Sequence, residues 1–318
     1  MSHEIKENDK IVYARYKPWH GIGKKVDNVL TAAEAIMHAG LNWQVVESKV
    51  YDNAGRELEG HKAIIRDDTK QCFGIFSNGY TPVQNIDAFK LVDNITGTGL
   101  AKYDVVGTLK NGRILFLNVR LPYDFSLFNG KDEIQSNLNF ITSHDGSFAL
   151  QAIESPIRVV CYNTVRAAIG SATAKAYARH TISGVANFAD RAKSTLEYTK
   201  KYFEQYKEVA QAMAKKQWAE LSIDFFLAEL FETSKLEKVP TRTLNAIEQI
   251  KELHDSGKGS EIPGVRGSSW GLFNAVTEYV DHYRSVQGSN KDESLVYSSL
   301  LGTGAQLREK AFQLLIKA

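Results

Sequence analysis

The hydrophobic period changes once along this chain, near Ala186, and that change limits what the chain can fold into. Between Trp43 and Cys161, apolar and polar residues alternate in short runs cut by turn signals, the pattern of half-buried antiparallel strands. The spacing predicts strands over 43–51, 61–66 and 71–77, separated by Asp52-Asn53-Ala54-Gly55 and closed by Asn78-Gly79. It predicts further strands over 103–109, 114–121, 134–142, 148–153 and 157–161, with Lys110-Asn111-Gly112 as a hairpin turn. Two helices interrupt them, one capped by Thr31 and ended at Gly40, the other opened by Asn85 and closed by Gly97-Thr98-Gly99.

Beyond Ala186, Phe188, Ala192, Thr195, Thr199, Tyr202, Tyr206, Val209 and Met213 recur at three- and four-residue intervals, as one helix face requires. Helices are expected over 222–232, 241–255, 269–286 and from Gly304 onward. The expected fold is therefore α+β: an N-terminal helix-plus-antiparallel-hairpin domain followed by an all-α C-terminal part. Residues 1–30 read as an N-terminal arm, 31–185 as the α+β core domain, and 186–318 as the helical C-terminal domain.

A chain of 318 residues with 43% apolar and 24% charged residues can bury a sizeable core, which excludes wholesale disorder. No stretch approaches the roughly 18 uninterrupted apolar residues of a membrane span. The opening Met1-Ser2-His3-Glu4-Ile5-Lys6 lacks a signal peptide's apolar core, so a cytoplasmic protein with no membrane partner is expected. Cys72 and Cys161 lie far apart with no CxxC spacing, which suggests neither a disulfide framework nor a cysteine zinc site.

The net charge of +2 conceals a local excess. After Glu154 no acid appears until Asp190, and between them stand Arg158, Arg166, Lys175 and Arg179. Within this basic stretch, 156–181, the cations can neutralise phosphates and Asn163 and His180 can donate hydrogen bonds. Tyr162 and Tyr177 offer stacking faces for unpaired bases. The bland alternative is a solvated segment in which Arg158 pairs with a structural carboxylate. Ahead of it, Trp19-His20-Gly21-Ile22-Gly23-Lys24-Lys25 has the parts of a backbone clamp, or is an arm whose Trp19 plugs a neighbouring core.

Catalytic patterns are sparse. His144-Asp145 could orient a base or metal ligand beside a carboxylate, but Asp145-Gly146 is itself a turn signal and no GxSxG elbow accompanies it. Glu278 and His282 share a helix face at i and i+4, which suits a metal ligand pair or an ordinary helix pair; HExxH is absent. Gly302-Thr303-Gly304 could place an anion at a helix N-terminus, but without GxxxxGK[ST] nucleotide hydrolysis is not expected. No cofactor and no bound metal are expected.

Taken in order, Trp19-His20-Gly21, Gly40-Leu-Asn-Trp43, His144-Asp145-Gly146-Ser147, Arg158-Val-Val-Cys161-Tyr-Asn163-Thr164, Arg179-His180-Thr181 and Trp270 through His282 resemble the phage/plasmid-like protein family built on a domain of unknown function. The likeness runs from about Trp19 to Leu315, and Asn274 to His282 is its most specific block. It implies a mobile-element setting inside a bacterial host cell. A looser fold-level likeness is to the phage single-strand annealing proteins of the Red-beta, RecT and Erf kind. It implies a homo-oligomer that anneals single-stranded DNA in a basic groove during recombination, without a nucleophile or nucleotide. The groove would comprise Arg158, Asn163, Arg166, Lys175, Tyr177, Arg179 and His180, joined by Lys24 and Lys25. Two alternatives stay open: a metal-dependent nuclease or related hydrolase using His144, Asp145, Glu278 and His282, and a phage protein binding a host defence component.

Overall fold

In the computed structural model, residues 11–14, 23–28, 30–97, 102–154, 156–158, 163–164, 175–286, 294, 298–299 and 302–317 are described. The strands are β1 (Ile11–Ala14), β2 (Lys24–Val26), β3 (Val45–Tyr51), β4 (Glu57–Arg66), β5 (Cys72–Ser77), β6 (Lys102–Leu109) and β7 (Ile114–Arg120). They continue with β8 (Phe125–Leu127), β9 (Asp132–Gln135), β10 (Asn137–Ser143), β11 (Leu150–Glu154), β12 (Ile157–Arg158), β13 (Asn163–Thr164) and β14 (Lys175–Ala178). The helices are α1 (Ala32–His38), α2 (Asn85–Thr96), α3 (Ile182–Ala186), α4 (Phe188–Lys215), α5 (Glu220–Leu230), α6 (Thr241–Ser256), α7 (Ser269–Glu278) and α8 (Thr303–Lys317).

Local chemistry places the anticipated turns. Lys110, Asn111 and Gly112 all take positive φ (55°, 57° and 87°), the conformation that lets a tight turn join β6 to β7 with matching twist. Thr31 and Glu34 form a reciprocal cap on α1, each side chain accepting from the other's backbone N–H at 3.4 and 2.8 Å. The strands make three sheets: seven strands in the order β14-β11-β10-β7-β6-β1-β2, four in the order β13-β12-β9-β8, and the β3-β4-β5 meander. In the large sheet every neighbouring pair is antiparallel except β1 with β2.

Two boundaries differ from expectation. Residues 11–14, within the segment read as an arm, form a strand between β6 and β2. All four are buried, because Val12 and Ala14 join the main core while Ile11 packs on the opposite face with Leu109, Ile114, Phe116 and Ile141. A strand buried on both faces does not alternate, so its apolar run carried no strand signal. The run 134–142 is two strands in two sheets, split at Ser136, whose hydroxyl donates to the Leu121 carbonyl (2.7 Å) and whose N–H donates to Asp124 (2.8 Å).

From Phe188 onward the described elements are helical, apart from one isolated bridge between Gln217 and Ser268. Phe188, Ala192, Tyr202, Tyr206 and Met213 on α4 are buried, as their spacing requires. One apolar cluster joins these helices to the large sheet: Phe188 meets Phe140 of β10 edge-on at 5.8 Å, and Tyr206 lies 6.1 Å from Phe125 and stacks on Phe312 of α8 at 6.0 Å. Helix α7 is buried along its whole length; a Cβ on Gly271 would sit 2.2 Å from the Val265 carbonyl oxygen, so only glycine permits that approach. The expected 269–286 helix changes at Tyr279–Tyr283 into one wider π turn.

Candidate nucleic-acid interface

Strand β14 forms one edge of the large sheet and pairs with β11 through Lys175 with Ile153 and Tyr177 with Gln151. Alternation divides it: Ala176 and Ala178 are buried in the main core, while Tyr177 is 49% exposed and Arg179 just beyond it is exposed. Alanine on the inner face lets α4 pack closely and leaves the aromatic ring outside. Arg158 and Asn163 lie directly opposite each other in the β12–β13 pair of the four-stranded sheet. Arg166 lies outside the described residues, as do Tyr162, Cys161 and Trp19-His20-Gly21.

Lys24 and Lys25 are exposed on β2, the other edge of the large sheet. The register runs Lys175, Ile153, Asn139, Asn118, Val105, Tyr13, Lys25 across all seven strands. Six strand spacings separate its ends, about 29 Å. The middle of this row is closed, with Ile153, Asn118 and Tyr13 buried, so the two edges are separate cationic places.

His180, expected to face DNA, is a packing residue. It is 8% exposed, its Nε2 lies 3.2 Å from Thr142 Oγ1 and its Nδ1 3.1 Å from the Thr81 carbonyl, and Tyr80 stacks on it at 5.1 Å. Burial lowers its pKa, so neutral imidazole is favoured. It ties the end of β14 to the loop before α2 and fixes where Arg179 emerges.

The neighbouring His144 is also enclosed. It stacks on Phe73 (5.6 Å), meets Trp43 edge-on (5.1 Å), and places Nε2 3.0 Å from Asn85 Oδ1. Asn85 Nδ2 donates to the Leu41 and Trp43 carbonyls, so its oxygen is the atom presented to His144. His144 Nε2 therefore carries the proton, and Nδ1 is buried without a hydrogen-bond partner. Asp145 instead serves the turn, accepting from the Ser147 N–H (3.0 Å) and hydroxyl (2.5 Å). Gly146 completes that turn at φ 71°, where a Cβ would strike Phe76 at 2.8 Å.

Glu278 and His282 occupy a different neighbourhood. Glu278 is buried and accepts from the Lys258 N–H (3.0 Å), and burial, with Lys258 adding to it, lowers the His282 pKa to about 4. Asp281 is fully buried between Ser299 and Arg308, the latter at 3.4 Å. Among the described residues no three His, Cys, Asp or Glu side chains are grouped to hold a metal ion. The histidine–carboxylate pairs thus do not converge; each serves a local turn or helix junction.

Sequence reasoning passed over Arg242, Arg284 and Lys310, which meet at one cleft. They come from α6, the segment after the π turn, and α8, and no spacing marks residues so far apart. The one sequence signal nearby is Gly302-Thr303-Gly304, which does open a helix.

No helix among the described residues is long and apolar enough to cross a membrane. No curated protein and no solved structure matches the chain. A family model described as a domain of unknown function (DUF932) matches residues 72–301, more than two thirds of the sequence, and the chain belongs to that family.

Proposed function

We propose that this protein binds single-stranded DNA along the β14 edge and acts as a non-enzymatic, self-associating annealing protein of phage recombination. The supporting observation is the outward Tyr177 ring, beside exposed Arg179, on an edge strand whose alternate residues are buried alanines. An aromatic face beside a cation suits an unpaired base and its phosphate. Annealing requires that a strand's backbone be held while its base edges stay free, and it needs no nucleophile. Lys175 belongs to the same strand, and Arg158 and Asn163 to a hairpin of the same basic stretch. Arg166 is kept as a contact by its place in that stretch, and Lys24 and Lys25 form a second place on the far edge. His180 positions the strand end and is left out of the contact set.

The test pairs oligonucleotide affinity over a salt series with thermal unfolding. Arg179→Ala should weaken binding to all sequences and flatten the log–log salt slope by about 0.7, because one fewer counterion is released from a single strand. Tyr177→Ala should cost roughly 1–3 kcal/mol per stacked base and leave the slope unchanged. Unaltered affinity in both folded variants refutes the assignment. Light scattering with and without DNA checks self-association, and a strict monomer under both conditions removes that part. Around α5, Phe226 and Leu230 are buried in the chain's own core and Trp218 and Phe231 pack against it, whereas Phe225 is 69% exposed and is the apolar side chain there open to a second copy.

A further inference from the structure

The cleft of about 400 Å³ between α6, the π turn and α8 is lined by apolar groups, including Tyr279 and Leu307, and by Arg242, Arg284 and Lys310. Among the described residues no carboxylate lines it. Lys310 already has its counter-charge, since its Nζ donates to Glu232 at 2.8 Å and to the Leu230 carbonyl at 2.8 Å. The two guanidiniums have only neutral acceptors among the described residues. Arg242 Nη2 donates to the Ser285 carbonyl (2.5 Å) and Arg284 Nη2 to Thr303 Oγ1 (2.9 Å). Arg284 Nη1 is out of solvent with no hydrogen-bond partner.

This arrangement is unfavourable as it stands. A buried N–H without an acceptor forfeits the hydration it had in water, and adjacent like charges repel. Both effects register on Arg284, whose pKa is lowered by burial and, against an opposing effect of Tyr279, by Arg242. An anion between the guanidiniums would reverse both. The first turn of α8 lies at the same place through Thr303 and Gln306, and the N–H groups of a helix's first turn favour negative charge.

We infer that this cleft binds a phosphate monoester, its oxygens taken by Arg242, Arg284 and Thr303 and the group it esterifies lying against Tyr279 and Leu307. Several donors from different directions suit the three terminal oxygens of a phosphate better than a planar carboxylate. The volume accommodates a nucleoside monophosphate, and the same chemistry is presented by a free nucleotide and by a 5′-phosphorylated DNA end. The site shares no residue with the β14 edge, so it stands or falls independently of that reading.

The full chain, in phosphate-free buffer, would be titrated calorimetrically with AMP, adenosine, inorganic phosphate, and one oligonucleotide carrying either a 5′-phosphate or a 5′-hydroxyl. AMP should bind and adenosine should bind about tenfold more weakly or not at all. Arg284→Gln and Arg242→Gln should each weaken AMP about tenfold or more, while Arg179→Ala leaves it unchanged. Without ligand, Arg284→Gln should melt no lower than the parent chain, since it removes an unpaired charge, yet it should lose the rise in melting temperature that AMP produces. If Arg284→Gln fails to fold, the exposed Arg242→Gln decides. Preference for the 5′-phosphorylated oligonucleotide, abolished by Arg242→Gln, identifies a DNA end as the source; AMP binding without that preference identifies a free nucleotide. Absence of binding by both AMP and phosphate at millimolar concentration, or AMP binding that survives both substitutions, overturns the inference.

Discussion

Acid should destabilise this protein, and His144 should carry a separable share of that loss. Its Nε2–H is committed to Asn85, its Nδ1 faces no partner, and Phe73 and Trp43 cover the ring, so a second proton would have to enter a site closed to solvent and without an acceptor. Burial, with a smaller contribution from His180 and against an opposing one from Asp145, lowers its pKa from 6.5 to about 3. The unfolded chain takes up the proton near pH 6.5 and the folded chain only near pH 3. The stabilisation is thus complete above pH 6.5 and is lost as the pH falls toward 3. Each shifted unit is about 1.4 kcal/mol, so the whole window is worth roughly 5 kcal/mol, of which about 2 kcal/mol is lost between pH 7 and pH 5. The assay is urea denaturation followed by tryptophan fluorescence at those two pH values, for the parent chain and His144→Gln. The other histidines whose pKa burial lowers, His180, His254 and the half-buried His282, remain in both chains and cancel. The parent should lose about 2 kcal/mol more than the variant. Equal losses would mean that His144 titrates normally and that the enclosed, neutral imidazole is wrong.

Two further perturbations probe the junction between sheet and helices. Trp270→Phe removes the 2.8 Å hydrogen bond to the fully buried Asp132 carboxylate and should cost about 2–3 kcal/mol, measured as a lower urea midpoint with an unchanged slope. Asp281→Ala leaves the buried Arg308 without its carboxylate and should cost about 3–5 kcal/mol; adding Arg308→Met in the same chain should restore part of that loss.

Features decided within a few residues were legible in the sequence. The Thr31–Glu34 cap, the Asn111-Gly112 turn and the buried stripe on α4 depend on local hydrogen bonding, positive φ and helical period. What the sequence hid depends on distant partners. The strand break at Ser136 is imposed by Leu121 and Asp124, which belong to an earlier loop. The π turn at 279–283 coincides with Asp281 turning inward to Ser299 and Arg308, residues from beyond the helix end. His180 illustrates the same limit at the candidate interface: its neighbours in sequence suggest a donor beside two cations, yet Thr81 and Thr142 claim both its nitrogens. Burial of a histidine is a property of the assembled core, and no local spacing announces it.

The position of β1 in the large sheet bears on how the protein is made. Its partner β6 lies about 95 residues later, so during synthesis Ile11–Ala14, apolar on both faces and with only β2 made soon after it, must wait with one edge open until residues 102–109 have left the ribosome. The helical side closes later still, because the ring of Tyr206 finds Phe312 only when α8 is made. Contacts so distant in the chain cost loop entropy before they return any burial, which makes folding slow and leaves the early strands open to pairing with other chains. Nascent chains halted before residue 102 should therefore be bound by chaperones through that N-terminal strand, whereas chains long enough to contain β6 should protect it.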